Sequence, residues 1–441
     1  MNAVTPARLL RVAENAPCSA GQVVVLGRDI RTSSEKIARY CVMGHEPIYE
    51  DLAVLVESMA YLDRLVPRRR AGGWARQLSI QVPVYEHGQF QRAGAIRALA
   101  DAAWFLTGDL WSFEFVARKG PAPCRQSNLA LPHGAIRHVI PFSDGLDSFA
   151  QVQLSVREYG RDAVMLVRSG LGRDRIFPKL ASLRVPRKFS GVRMREVSYR
   201  TRPLVFYTLA AIAAAVTQAE AVIIGENGQG AIGPACLPFA DEWWLRSAHP
   251  AFVTRWANFL RIILDKSIRF EQPQLWKTKG QVLSKLQAEG LIAGWEQTSS
   301  CSARPKDRHG HRGCGVCEGC LLRTVSAYAA GLALPAGNNA FNVHAFADMV
   351  LSRDGRERQM TPGERAIAVR AIAAMTEFAG LADSSEGDAA IDREARLIDP
   401  NNPGQVQVEF RRLLRQHRSE WDGFMSALPD HSWVRKIVGQ L

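Results

Sequence analysis

No stretch of this sequence is long and apolar enough to be read as a membrane span. The most apolar run, Leu204 to Val216 (LVFYTLAAIAAAV), stops at Thr217, Gln218 and Glu220. It falls short of the roughly 20 residues that cross a bilayer and reads instead as a buried helix. The first residues, MNAVTPARLLRVAENAPCSAG, lack the sustained apolar core of a secretory leader. No internal repeat and no long low-complexity tract is present. These absences make a cytoplasmic protein the expectation, with its thiols reduced. Acidic residues are also in short supply, 43 against 56 basic ones, for a net charge of +13. That excess suits anionic partners such as nucleotides or RNA, and equally a solubility charge spread over the surface. It says nothing about fold.

What is present is an ordinary globular composition, 47% hydrophobic and 22% charged over 441 residues. Such a chain has room for two or three domains and a large core. Residues 1–135 read as a small α/β region, with strands at Gln22–Ile30, Leu78–Tyr85 and Leu110–Ala117 and helices at Asp51–Leu65 and Ala93–Leu106. Residues 120–134, with Pro121, Pro123 and Pro132, read as a linker. From residue 136 buried strands alternate with helices: His138–Phe142, then Ser148–Tyr159, Ala163–Val167, Leu204–Ala219 and Ala221–Gly225. That alternation predicts a parallel sheet flanked by helices across residues 136–335. Residues 336–441 read as a helical extension. Within them Thr361 and Glu364 are spaced for a capping box, with Pro362 at the first helical position.

Two segments carry chemistry. In HVIPFSDGLDSFAQVQL, residues 138–154, a buried strand runs into Ser143, Asp144, Gly145, Leu146, Asp147 and Ser148 before a helix begins. A small-residue turn between strand and helix offers backbone N–H groups and a helix N-terminus to phosphate. Ser143 and Ser148 add hydroxyl donors, and Asp147 is an oxygen ligand for magnesium. The loop lacks the lysine of the G-x-x-x-x-G-K-[ST] pattern, so a different nucleotide chemistry is expected. A serine-capped helix after an ordinary strand is the bland alternative.

The second segment is TSSCSARPKDRHGHRGCGVCEGCLLR, residues 298–323. Four of the chain's eight cysteines, Cys301, Cys314, Cys317 and Cys320, fall here, while Cys18, Cys41, Cys124 and Cys236 are scattered. Four thiolates satisfy tetrahedral zinc, and Gly313 and Gly315 permit the tight turn that aims Cys314 and Cys317 at one point. A redox dithiol and an iron–sulfur cluster are alternatives. His309 and His311, in a loop made cationic by Arg304, Lys306, Arg308 and Arg312, are candidate substitute ligands or simply exposed residues.

The first segment resembles the S-G-G-x-D-S loop of the ATP pyrophosphatase (PP-loop) superfamily through Ser143, Gly145, Asp147 and Ser148, with Asp144 in place of the first glycine. The two segments together resemble the 7-cyano-7-deazaguanine synthase (QueC) family, whose cysteine motif C-G-x-C-x-x-C-x-x-R is matched by Cys314, Gly315, Cys317, Cys320 and Arg323 behind Cys301. The resemblance spans about residues 136 to 335. It implies an adenine nucleotide alpha hydrolase-like fold, ATP and Mg2+ at the loop, structural Zn2+ at the cysteines, and often a homodimer. It assigns Arg202, Gly225, Glu226, Asn227 and Lys279 to the nucleotide cleft, with Lys277 beside them. The implied activity is C–N bond formation: adenylation of a 7-carboxy-7-deazaguanine, then attack by ammonia.

The sequence departs from that family in three places. The base-reading segment is Gly233, Pro234, Ala235, Cys236 and Leu237, without the family's aspartate and arginine. About 135 residues precede the catalytic region and about 100 follow it. The third departure is Asp144. Together these resemble the longer QueC-like proteins of anti-phage operons of the Qat type (QatC), which implies a QatB-like partner encoded nearby and a protein amine as acceptor. Two other readings remain. One is RNA thiolation, motivated by the charge and the Arg68–Arg69–Arg70 run, with Cys236 as the sulfur carrier. The other is a nucleotide-binding subunit of a defence complex without turnover. Trp243, Trp244 and Trp256 read as core or interface anchors, and Asp241 and Glu242 as cleft or surface residues.

Overall fold

The computed structural model describes residues 8–13, 22–32, 46–68, 73–120, 122, 136–170, 176–190, 194–237, 243–303, 308, 310–335, 337–344, 349–351 and 357–441. Cys18, Cys41, Cys124, Arg69, Arg70, Asp241, Glu242, Arg304, Lys306 and His309 lie outside them, as does most of the proline-containing linker. The chain forms two compact units that interleave in sequence. The first comprises Met1–Ser143, Ser155–Ile224 and Pro238–Gln272; the second comprises Asp144–Leu154, Gly225–Leu237 and Pro273–Leu441.

The first unit holds two parallel sheets. One is built from β1 (Arg8–Ala13), β2 (Gln22–Val25), β4 (Gln77–Val84) and β5 (Leu110–Ala117), in the order β2-β1-β4-β5. A short antiparallel pair joins β3 (Ile30–Thr32) to β9 (Arg187–Phe189). The single strand expected over Gln22–Ile30 is therefore two. Gly27 takes a left-handed φ of 80°, and the Val25 N–H donates to the Asp29 carboxylate at 2.9 Å. This turn ends β2 and sends β3 to a different partner.

The second sheet contains β6 (His138–Pro141), β7 (Val164–Ser169), β8 (Ala181–Val185), β10 (Ala221–Ile223) and β11 (Phe270–Glu271), ordered β11-β10-β6-β7-β8. All its pairings are parallel. β10 is fully buried and β7 nearly so, as a parallel sheet covered on both faces demands. The helix Arg202–Thr217 is apolar around almost its whole circumference and is buried accordingly. The strand order reverses between β6 and β10. Ligands of open parallel sheets bind beyond the strand ends at such a reversal. The chain leaving β6 enters residues 143–148, and the chain leaving β10 enters residues 225–227.

The second unit is mostly helical. It contains the beginning of the loop helix Leu146–Tyr159, the short helices Gly228–Ala231 and Gly233–Cys236, the lysine helix Lys279–Ala288 and the cysteine helix Glu318–Ala329. The C-terminal helices Pro362–Gly380, Ser385–Ile398, Pro403–Ala427 and Trp433–Val438 complete it. The expected capping box is formed: the Thr361 hydroxyl accepts from Glu364 N, and the Glu364 carboxylate accepts from Thr361 N. The core of this unit joins the cysteines to Phe341, Ile372, Trp421, Phe424 and Trp433. Parallel sheets with helices, a four-cysteine cluster and a helical C-terminal region are the fold class expected from sequence. Among the described residues no helix is long and apolar enough to cross a membrane.

Candidate nucleotide and metal sites

The turn after β6 works because of one backbone angle. Asp144 sits at φ 59°, in the left-handed region that glycine enters freely and aspartate and asparagine enter more readily than other residues. This accounts for an aspartate where the resembling loops have glycine. The Ser299 N–H donates to the Asp144 carbonyl at 3.1 Å and ties the turn to the segment leading into Cys301. The loop helix then starts at Leu146, and the Ser148 hydroxyl donates back to the Gly145 carbonyl at 3.0 Å. First-turn N–H groups have no partner within a helix, and they carry the positive end of its dipole.

Asp147, in that first turn, is the focus of the site. Asn227 Nδ2 donates to its Oδ1 at 2.6 Å, and the Lys279 ammonium donates to its Oδ2 at 2.7 Å. Lys279 is nearly buried, its side chain only 6% exposed, so its head is committed to this carboxylate. Asn227 is itself held as the N-cap of Gly228–Ala231, its Oδ1 accepting from Gly230 N at 3.3 Å. Gly225 lets the chain pass close to the loop helix, since a Cβ there would lie 2.8 Å from the Asp147 carbonyl oxygen. Glu226 folds over the same short helix, with Oε1 1.9 Å from where a Gly230 Cβ would stand. Lys277 donates to Gln274 Oε1 at 3.2 Å, and burial pushes its ammonium below the usual lysine range. Thus Asp147, Asn227 and Lys279 are brought together. Ser143 and Arg202 belong to the other compact unit, where Arg202 opens its helix and lies over the Phe206 ring at 5.2 Å.

The cysteines converge. The Sγ atoms of Cys301, Cys314, Cys317 and Cys320 all lie within 4.8 Å of one another. Tetrahedral zinc at a Zn–S distance of about 2.3 Å needs sulfurs about 3.8 Å apart, and Cys317 and Cys301 are 3.9 Å apart. Backbone N–H groups already point at sulfur, Cys314 N at Cys301 and Cys317 N at Cys314. Contacts with Cys301, Cys314 and Cys320 hold the Cys317 thiol low, and contacts with Cys301, Cys314 and Cys317 push Cys320 up. A divalent cation would let all four ionise. The donor set therefore fits zinc.

Glycines make the cluster possible. Gly315 has φ 86°, and a Cβ on it would lie 2.2 Å from the Phe341 carbonyl oxygen. At Gly313 a Cβ would meet Cys320 Sγ at 2.9 Å. The cysteine helix begins at Glu318 with Cys317 as its N-cap residue, which places Cys320 in its first turn. His311 bonds through Nδ1 to the Gly337 carbonyl at 2.7 Å, and among the described residues the convergent ligand set contains cysteine alone.

Arg323 sits one turn beyond Cys320. Its guanidinium donates to the Thr298 carbonyl at 3.0 Å, the Thr298 hydroxyl at 2.7 Å and the Trp295 carbonyl at 3.0 Å, and lies over the Trp295 ring. Burial pushes its pKa down to about 10. Residues 180–331 match the family model of the queuosine biosynthesis protein QueC. That segment is QueC-like. The match contains Lys279, Arg323 and all four clustered cysteines, and begins after the loop at residues 143–148. No curated protein matches the chain. The likeness of this segment is to ATP-dependent PP-loop enzymes of the ligase or synthase type, and the four cysteines are placed to hold a metal ion.

Sequence reasoning missed the supports of this site. Thr278 and Gln281 form a second capping box at the start of the lysine helix. The T-x-x-Q spacing was a local signal that could have revealed it. Ser299, Gln229, His417 and Glu420 carried no local signal. Cys236, the sulfur carrier required by the thiolation reading, is buried in the helix Gly233–Cys236. Trp256 is fully buried, and Trp243 donates to the Phe105 carbonyl while packing edge-on against Trp104 and Trp244.

Proposed function

We propose that this protein adenylates a carboxylate of the 7-carboxy-7-deazaguanine type and passes the activated acyl group to ammonia or a protein amine. The carboxylate oxygen attacks the α-phosphorus of ATP, the bond to the β-phosphate oxygen breaks, and pyrophosphate leaves. The amine then attacks the acyl carbon, AMP leaves, and the amine proton goes to solvent. A bare carboxylate would have to expel oxide; adenylation makes AMP the leaving group.

The observation that carries this reading is the Asp147–Lys279–Asn227 constellation at the N-terminus of the loop helix. Asp147 is the residue that would hold magnesium, which neutralises phosphate charge when bound. Lys279 is then free to exchange its carboxylate partner for phosphate oxygen. Ser143, Asp144, Gly145, Leu146 and Ser148 belong to the phosphate cradle in this reading. Arg202, Gly225 and Glu226 are assigned to the nucleotide by resemblance alone. The four cysteines hold structural zinc. We assign residues 1–135 and 336–441 as additions to a catalytic region at 136–335, in a cytoplasmic protein of a Qat-type defence system with a protein partner. The absence of the family's base-reading aspartate and arginine at residues 233–237 supports an altered acceptor or substrate.

The test uses the full-length protein with ATP, magnesium and 7-carboxy-7-deazaguanine, with ammonium or a candidate acceptor protein added in turn. AMP and pyrophosphate are expected in equal amounts, with turnover reduced by about 100-fold or more in Asp147→Asn. Failure to form AMP with any acceptor would sink the reading.

A further inference from the structure

The lysine that meets Asp147 is held from the far end of the chain. The Lys279 N–H donates to Gln229 Oε1 at 2.7 Å. Gln229 Nε2 then donates to His417 Nδ1 at 2.8 Å, and His417 Nε2 donates to the Met375 carbonyl at 3.0 Å. A carbonyl can only accept, so His417 must carry its proton on Nε2. Nδ1 must then accept, and the Gln229 amide has one orientation that satisfies both neighbours. Each donor has one acceptor along the whole chain. Burial lowers the His417 pKa from the usual imidazole value, in the direction this arrangement requires.

A second arm reaches the same helix turn. The Thr278 hydroxyl donates to Glu420 Oε1, which also accepts from Gln416 Nε2 at 3.0 Å. Gly280 is compatible with this, since a Cβ there would lie 2.7 Å from the Glu420 carboxylate. His417 and Glu420 project from one helix, Pro403–Ala427, at i and i+3, the spacing that puts them on one face. Both lie well outside residues 180–331, the QueC-like segment.

We propose that the helix Pro403–Ala427 is a positioning element for the nucleotide site: His417, acting through Gln229, and Glu420, acting through Thr278, fix the first turn of the lysine helix and aim the Lys279 ammonium at Asp147. His417 and Glu420 are positioning residues and touch no reacting atom. The inference rests on the proposed adenylation only for what Lys279 does once ATP binds; the aim of Lys279 is a property of the protein alone. The C-terminal extension thereby becomes part of the enzyme's working machinery.

The experiment labels the full-length protein with a trace of acetic anhydride and reads each lysine by mass spectrometry, with the more exposed Lys285 as internal reference. In His417→Leu the Lys279 rate should rise about five-fold relative to Lys285, the factor expected for losing one hydrogen bond of ordinary strength. His417→Gln, which keeps an amide donor and acceptor, should restore most of the protection. In turnover, KM for ATP should rise by more than kcat falls. If adenylation fails but the labelling pattern holds, the positioning stands and the reaction assignment falls.

Should His417→Leu not fold, Gln229→Glu carries the test. The new carboxylate still accepts from the Lys279 N–H but cannot donate to Nδ1, so the link holds only while His417 is protonated. The groups facing His417 are Gln229, the Met375 carbonyl and the Phe378 ring, with Asp422 the carboxylate acting on it. In Gln229→Glu the Lys279 to Lys285 ratio should therefore rise with pH, where wild type stays flat. A flat ratio in that variant, or an unchanged ratio in folded His417→Leu, overturns the proposal.

Discussion

Asp144 adopts the backbone conformation that glycine enters most freely. Its φ of 59° is a demand of the turn, and glycine is the usual answer to that demand. Substituting alanine puts a Cβ into the left-handed region with no polar side chain to compensate. Asp144→Ala should therefore be less stable than Asp144→Gly by about 1 kcal/mol. Denaturant unfolding of the two variants measures this, and equal midpoints would show that the angle imposes no cost. The strand–turn–helix at residues 138–148 was legible at this scale because every part of its signal lies within a few residues: a buried strand, a turn of small polar residues, and a helix start. The left-handed angle itself was not legible, and in the sequence Asp144 was only a departure from the resembling loops.

At the scale of elements, the cysteine turn links two parts of the second unit. Its backbone pairs with residues 338–341, through Gly313 N to Asn338 O at 3.0 Å and Phe341 N to Cys314 O at 3.0 Å. Arg323 pins the cysteine helix to residues 295–298, and Ser299 bonds the Asp144 carbonyl. Removing a bound metal should therefore loosen the turn at Asp144 as well as the cysteines. Chelation of the full-length protein should release one zinc per chain and lower the melting midpoint by roughly 10 °C, the shift for a loss of several kcal/mol in a unit of this size. Metal analysis and thermal unfolding check both, and zinc should restore the midpoint. Cysteine spacing and the enabling glycines were readable in the sequence because ligand geometry is imposed locally. The Arg323 contacts were not, since a buried guanidinium finds its carbonyls through packing.

For the whole molecule, the QueC-like segment cannot be the folding unit. In the second sheet β10 pairs with β6, and β6 with β7, yet β6 and β7 precede residue 180. Residues 180–331 expressed alone should therefore lack cooperative unfolding, whereas the full chain should melt cooperatively. Circular dichroism of the fragment tests this, and a native-like melt would contradict it.

By itself the sequence determined the α/β alternation, the turn between strand and helix at residues 143–148, the four-thiolate set, and a helical C-terminal region with its Thr361 capping box. Each is encoded by residues within a turn or two of one another, where periodicity, caps and ligand spacing leave a readable trace. Only the tertiary structure decided which distant groups meet. Asp147 faces Asn227 across 80 positions and Lys279 across 132, and Gln229 reaches His417 across 188. Contacts closed over such separations depend on how buried surfaces pack. A polar residue that completes such a network looks, in the sequence, like any other glutamine, histidine or glutamate on a helix.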